Sequence, residues 1–178
     1  MTKSTDRTPP SSGVRSFFRK PGIIFLFLLL CVAIFFLPYA GQLLLVLIPE
    51  KGSAVAVPVA PGDEWVYHYT HSVQLTPCYE YFRINGPDDM VMTHTVYESY
   101  GVGLPYSPAE GTFVSRKEDG KFDLTMNRPY RTVSFRPAIQ AKPDITCHQI
   151  TYDLCKRFGE GVRVDVKVMK RYKFWLMN

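Results

Sequence analysis

The sequence predicts an all-β domain, a sandwich or a barrel of short antiparallel strands, preceded by one transmembrane helix. Three observations predict it: an apolar run without charges from Pro21 to Pro49, a two-residue hydrophobic period after that run, and frequent turn residues. The 178 residues leave room for one domain and one membrane segment. Apolar residues make up 46% of the chain, which excludes disorder for most of it.

The apolar run is longer than the roughly 20 residues that span a bilayer core. Pro38, Gly41 and Gln42 provide a natural break within it, because proline and glycine disfavour a continuing helix. We therefore expect a disordered basic tail over 1–20, a transmembrane anchor over 21–41 and an all-β domain over 42–178. The stretch LLLVLIP at 43–49 is predicted to be the first strand of the domain.

Charge sets the expected orientation of this anchor. Most of the net charge of +5 lies before the helix, where the basic residues are Lys3, Arg7, Arg15, Arg19 and Lys20. The positive-inside bias then places the tail in the cytoplasm and the domain outside the inner membrane, in the periplasm. A cleaved signal peptide is the alternative, but Pro38 fits its cleavage site poorly, and we favour the anchor. The rest of the chain has no broad basic surface, which excludes nucleic acid as a partner.

After the anchor, short segments of alternating hydrophobicity predict strands. They are SAVAVPV, EWVYHYTH, CYEYFRI, MVMTHTVY, GTFVS, KFDLTM, TVSFRP and GVRVDVKVMK. The stretch TYDLCKRFGEG predicts one short helix, and PEKG, APGD, NGPDD, KEDGK and MNRPY predict turns. The terminal KVMKRYKFWLMN fits either a strand with a frayed end or a segment that lies on lipid headgroups or packs on a membrane partner.

The segments EWVYHYTH and CYEYFRI are predicted to form a hairpin around the loop QLTP. The predicted register sets Tyr67 opposite Ile84, Tyr69 opposite Phe82 and His71 opposite Glu80, all on one face. A carboxylate on a core face needs a partner, so we expect His71 and Glu80 to form a buried structural pair. The alternative is a small periplasmic hydrolase in which His71 is the general base and Glu80 its orienting acid; Ser72 and Cys78 are the nearest nucleophiles, but neither lies in a nucleophile motif. A ligand- or metal-binding module is the other alternative.

Other residues give weaker indications. Cys147 and Cys155 are a possible disulfide in an oxidising compartment, although three buried free thiols are as consistent with the spacing. His71, His94 and His148 could hold a metal together with Cys147 and Glu80, but no two show zinc-motif spacing, and we expect no cofactor. Arg128, Arg131 and Arg136 could bind an anionic ligand or partner, although a solvated or strand-edge role is favoured.

The stretches PGDEWVYHYTHSVQLTPCYEYFRI and ESYGVGLP resemble the Domain of Unknown Function 1850 family. The resemblance covers roughly Leu43 to Pro105. Its motif positions here are His71, Ser72, Val73, Pro77, Glu80, Gly101, Gly103, Leu104 and Pro105, with Arg128, Arg136 and His148 at later family positions. The chain departs from the family pattern at Gln74, Cys78 and Val102.

Proteins of this family are encoded beside the membrane subunits of TAXI-type tripartite ATP-independent periplasmic (TRAP) transporters. The resemblance therefore implies a membrane-anchored accessory subunit that binds a TRAP permease or its solute-binding protein. It does not point to any established enzymatic activity. It leaves open the transported solute, the partner surface and the stoichiometry.

Overall fold

The computed structural model describes residues 21–98, 111–115 and 120–177. The chain divides into two compact units, Met1–Leu37 and Pro38–Asn178. Helix α1 covers Pro21–Gly41, the segment predicted to be helical. Its residues Gly22–Gly41 are long and apolar enough to cross a membrane, with a mean hydropathy of 2.8. Nearly all its side chains are exposed and apolar on every face, as expected of a helix surrounded by lipid or of a signal sequence.

The second unit is mostly antiparallel β-structure, which confirms the predicted fold class. Its strands are β1 (Leu43–Pro49), β2 (Val55–Val59), β3 (Glu64–Thr70), β4 (Pro77–Gly86), β5 (Asp89–Tyr97), β6 (Thr112–Ser115), β7 (Phe122–Tyr130), β8 (Val133–Phe135), β9 (Asp144–Cys147), β10 (Ile150–Asp153) and β11 (Val164–Lys170). Two short helices, α2 (Leu154–Phe158) and α3 (Arg171–Trp175), and a 3-10 turn at Ile139–Ala141 complete the described elements.

The strands form two sheets with an apolar core between them. One sheet has four strands in the order β2-β1-β11-β8, and the other has seven in the order β10-β9-β3-β4-β5-β7-β6. Leu45, Leu47 and Val166 of the first sheet pack in one cluster with Trp65 and Phe82 of the second. The rings of Trp65 and Phe82, which lie opposite each other on β3 and β4, stack with centroids 4.1 Å apart. Trp65 and Phe82 therefore pack β3 and β4 into the core at the end of the two strands that is away from their connecting turn.

Strand β1 is buried on both faces. Leu45 and Leu47 face the core between the sheets, while Leu44 and Val46 pack on the outer face with Met169 and with Phe174 of α3. A strand covered on both faces reads as a continuous apolar run, and for this reason LLLVLIP is indistinguishable by composition from the preceding helix.

The structure corrects the predicted register of the β3–β4 hairpin. Tyr67 lies opposite Glu80, Tyr69 opposite Cys78 and Trp65 opposite Phe82. The turn is longer than predicted, because β3 ends at Thr70 and β4 begins at Pro77. The shift is by an even number of residues, so the side chains keep the predicted face. His71 begins the turn and does not lie opposite Glu80.

Three further local predictions were wrong. MNRPY lies inside β7 instead of forming a turn. Proline has no N–H to donate to a second strand, but in the described sheet β6 pairs only with residues 122–125, so Pro129 pairs with β5 alone. Strands β9 and β10 were missed, and residues 151–153, predicted as helix, belong to β10. The frayed strand that was one alternative for KVMKRYKFWLMN is not formed after Lys170, because Arg171–Trp175 forms the helix α3.

Candidate functional site

The turn between β3 and β4 is fixed by its own hydrogen bonds. The backbone N–H of His71 donates to the carbonyl of Thr76, and the N–H of Leu75 donates to the carbonyl of His71, both at 2.9 Å. The side chain of His71 is buried, and its Nδ1 accepts from the N–H groups of Val73 and Gln74 at 3.3 and 3.2 Å. Because Nδ1 is the acceptor, a neutral His71 carries its proton on Nε2. We call residues 71–76 the hairpin tip.

The hairpin tip presents apolar side chains to solvent. Val73 is 65% exposed and Leu75 is 75% exposed. Leu75 also has a φ of 55°, in the left-handed region that disfavours a residue with a Cβ. Ser72 is exposed on the same turn.

Glu80 lies on the core face of β4, three residues after Pro77, where the strand leaves the hairpin tip. Its direct neighbours across the ladders are Tyr67 on β3 and Thr95 on β5, and Thr95 is buried. The hydroxyl of Tyr69 donates to Oε1 of Glu80 at 3.5 Å, the long end of the range for a hydrogen bond. We call Tyr67, Tyr69, Cys78, Glu80 and Thr95 the carboxylate cluster.

Burial dominates the electrostatics of this cluster. It raises the pKa of Glu80 above its ordinary value, while the Tyr69 hydrogen bond and the charge of Arg128 oppose that rise. Burial, reinforced by the negative charge of Glu80, also raises the pKa of Tyr67 and of Tyr69. The pKa of Cys78 is raised to about 11, again chiefly by burial. At neutral pH the two phenols are therefore neutral donors, and Cys78 is a protonated thiol with little nucleophilic character.

Among the other predicted site residues that the structure describes, Arg128 acts on this cluster through its charge, which opposes the rise that burial causes in the pKa of Glu80. The guanidinium of Arg128 lies over the ring of Tyr130, 5.6 Å from its centroid. Arg136 donates to the carbonyl of Gly161 at 3.0 Å and approaches Glu50 at 3.7 Å. His148 lies in the β9–β10 turn with its Nε2 2.8 Å from Oδ2 of Asp63. Gly101, Gly103 and Pro105 lie outside the described residues.

One comparison with known proteins bears on this site. The family model described as Domain of unknown function (DUF1850) matches residues 66–154, which is half of the chain. The chain belongs to the DUF1850 family. The match covers β3 from Val66 onward, the hairpin tip, the carboxylate cluster and β9–β10. No curated protein and no solved structure matches the chain.

The cysteines of this DUF1850 protein are all free thiols in the structure. Cys147 faces the core opposite Trp65, whereas Cys155 lies at the start of α2, where its charge would act on Tyr67. The disulfide considered for Cys147 and Cys155 is not formed, because both thiols are free. Among the described residues, no group of three His, Cys, Asp or Glu side chains is arranged to hold a metal. His94 stacks on Tyr81, with ring centroids 4.0 Å apart.

Reasoning from the sequence missed the actual neighbours of Glu80 in this DUF1850 protein. Tyr67 and Tyr69 were placed on its face, but the wrong register moved both away from it. The missed signal is His71 itself, because an imidazole after a strand can cap a turn as Asn and Asp do. Recognising that cap would have lengthened the loop and set Tyr67 opposite Glu80.

Proposed function

We propose that this protein is a membrane-anchored accessory subunit of a TAXI-type TRAP transporter, with a binding role and no catalytic one. The hairpin tip is proposed as its contact with the TRAP permease or the solute-binding protein. The observation that carries the proposal is a fixed turn that holds Leu75 and Val73 out in solvent, inside the segment that the family model covers.

The left-handed backbone at Leu75 supports a role for its side chain in binding another protein. A left-handed conformation costs a non-glycine residue roughly 1–2 kcal/mol. With 75% of its surface exposed, Leu75 recovers little of that cost by packing within its own domain. Strain of this kind is maintained where the side chain serves a function, and a partner that buries Leu75 would supply one.

The hydrogen bonds of the hairpin tip lower the entropic cost of such a contact. Its backbone is already ordered by the Thr76 and His71 bonds, so binding would lose little conformational entropy. Two apolar side chains on a rigid turn fit the pattern of a small hydrophobic centre in a protein interface, surrounded here by the polar Ser72 and Gln74.

The anchor and its orientation are part of the proposal. Helix α1 supplies an apolar segment of the right length, and the basic residues before it favour a cytoplasmic tail with the domain in the periplasm. The periplasmic side of the inner membrane is where a TRAP permease meets its solute-binding protein. A domain held there by one helix is suitably placed to contact either.

The hydrolase alternative loses its main support. It required His71 and Glu80 as a pair directly across the hairpin, and that register was wrong. Of the two nearest nucleophiles, Cys78 stays protonated at neutral pH and Ser72 is exposed on the tip. The remaining geometry favours binding over acyl transfer.

Affinity purification from native membranes tests the proposal, with Leu75→Asn as the decisive variant. Asparagine tolerates the left-handed backbone, so the fold should be preserved to within about 0.5 kcal/mol while the apolar contact is removed. Ile139→Asn is the matched control, because Ile139 is also an exposed aliphatic residue but lies in a different turn. We expect TRAP subunits to co-purify with the wild type and with Ile139→Asn, and to be lost with Leu75→Asn.

Two results would contradict the proposal. Recovery of TRAP subunits with Leu75→Asn in the wild-type amount would exclude the hairpin tip as the contact. Their absence from the wild-type purification, while the protein itself is recovered intact, would exclude the transporter as partner.

A further inference from the structure

Arg171, the first residue of α3, ties the C-terminal segment to the end of α1. Its Nη1 donates to the Tyr39 hydroxyl at 2.6 Å, and its guanidinium carbon lies 3.9 Å from the centroid of the Tyr39 ring. Its Nη2 donates to the side-chain oxygen of Gln42, and its backbone N–H donates to the carbonyl of Gln42 at 2.8 Å. Tyr39 and Gln42 both belong to the second compact unit, so these contacts are internal to it.

Helix α3 is apolar on two sides. Phe174 packs on the outer face of the four-stranded sheet beside Leu44 and Met169, which fixes the helix on the domain. The residues that this packing leaves exposed are also largely apolar: Tyr172, Trp175, Leu176 (84% exposed) and Met177. Lys170 and Lys173 flank them, and Lys173 lies 3.7 Å from Asp88.

The position of Trp175 indicates what covers this exposed face. Its ring lies 5.8 Å from that of Tyr39, which is in the last turn of α1. A helix of 20 residues is about 30 Å long, the thickness of a bilayer core, so the end of α1 falls at a membrane–water interface if the helix spans. Tryptophan and tyrosine concentrate at that depth, and lysines beside them extend their ammonium groups to the headgroups.

From this geometry we infer that the C-terminal segment Arg171–Met177 lies in the headgroup region of the membrane that α1 enters, with Trp175, Leu176 and Met177 in contact with lipid. The inference rests on the anchoring role of α1 and not on the transporter partner. It gives the domain a second contact with the bilayer besides its covalent link to α1. Arg171 links the C-terminal segment to the end of α1 through its hydrogen bonds to Tyr39 and Gln42.

The two tryptophans of the chain allow a direct test. Trp65 is 0% exposed in the core, whereas Trp175 is 41% exposed on the proposed lipid-facing surface. The full-length protein is reconstituted into phosphatidylcholine vesicles with and without phosphatidylcholine brominated near the headgroup end of its acyl chains, because bromine quenches tryptophan only at short range. We expect the brominated lipid to reduce the emission of the wild type and to leave that of Trp175→Phe unchanged. Phenylalanine preserves the aromatic contact with Tyr39 and keeps the variant folded.

Extraction of the vesicles at alkaline pH separates failure of the inference from failure of the anchor. A chain that resists extraction but shows no quenching retains its anchor and has no lipid contact at Trp175, which overturns the inference. Equal quenching of the wild type and Trp175→Phe also overturns it. Release by alkali would show that α1 does not anchor the chain, and the inference would fail with it. Quenching that disappears when the permease is reconstituted with the protein would assign the surface to the permease instead of lipid.

Discussion

Glu80 occupies a position on the core face of the seven-stranded sheet where an apolar residue would be expected. Its neighbours along β4 on the same face are Cys78 and Phe82, both fully buried. The alternating pattern of the sequence placed Glu80 on this face and indicated that it needed a partner. The pattern could not identify Tyr69 as that partner, because a hairpin register depends on loop length, and the loop depends on the capping role of His71.

The raised pKa of Glu80 predicts how stability changes with pH. A carboxyl group whose pKa is higher in the folded state than in the unfolded state favours folding below the unfolded pKa, and that contribution is lost as pH rises through the folded pKa. Glu80→Gln keeps an acceptor for Tyr69 but is neutral at every pH. We therefore expect Glu80→Gln to melt at a higher temperature than the wild type at pH 7, since each unit of pKa shift corresponds to about 1.4 kcal/mol.

The difference between the two proteins should shrink as pH falls and vanish below the ordinary glutamate pKa of about 4.3. Thermal melts of both proteins from pH 4 to pH 8 measure it. A melting-temperature difference that is constant over this range would show that ionisation of Glu80 does not oppose folding.

At the scale of the elements, strands with clear alternation were predicted, LLLVLIP was predicted from the break in the apolar run, and the short strands β9 and β10 were missed. Val164, Val166 and Val168 alternate with polar residues, and β11 lies where that pattern placed it. Strands β9 and β10 are four residues each and are joined by His148 and Gln149, both with positive φ. A two-residue turn of this kind normally contains Asn or Gly, so His-Gln gave no hairpin signal. Strand β9 pairs with β3, which is a tertiary contact, and β10 pairs in turn with β9.

Gly111 lies immediately before β6, and its substitution tests how that strand is held at the edge of the sheet. A Cβ at this position would overlap the backbone carbonyl oxygen of Thr125 on β7, and backbone cannot move aside as a flexible side chain can. Gly111→Ala should therefore push β6 off the edge of the sheet, at a cost of about 1–3 kcal/mol typical of overpacking. Gly86→Ala is the matched control, because Gly86 ends a strand, has open space around its Cα and does not have a positive φ.

Amide hydrogen exchange measures the effect where it should occur. We expect faster exchange in Thr112–Ser115 and in the paired part of β7 for Gly111→Ala, with Gly86→Ala exchanging like the wild type. Unchanged protection of β6 in Gly111→Ala would mean that the strand can shift without losing its pairing.

At the scale of the whole chain, composition predicted the apolar helix and the β-domain after it, but not the contact of the C-terminal end of the domain with Tyr39 and Gln42. The contact between Arg171 and Tyr39 joins residues far apart in sequence, and neither residue type signals the other. The same contact bears on whether α1 is retained. Cleavage before Gly41 would remove Tyr39 and with it the ring and hydroxyl that hold Arg171.

We therefore expect protein isolated from membranes to retain Tyr39, as intact-mass measurement will determine. Ala40 is itself buried in the domain, so the residues on both sides of the Ala40–Gly41 bond belong to folded structure. Within the full-length protein, Tyr39→Phe should lose only the hydrogen bond, at roughly 0.5–1.5 kcal/mol. Tyr39→Ala should cost more, because it also removes the cation–π contact, worth about 0.5–1 kcal/mol at an exposed site. Equal melting temperatures for the wild type and both variants would remove the structural argument for retention. A soluble mature chain that begins near Gly41 would replace the anchor with a cleaved signal sequence.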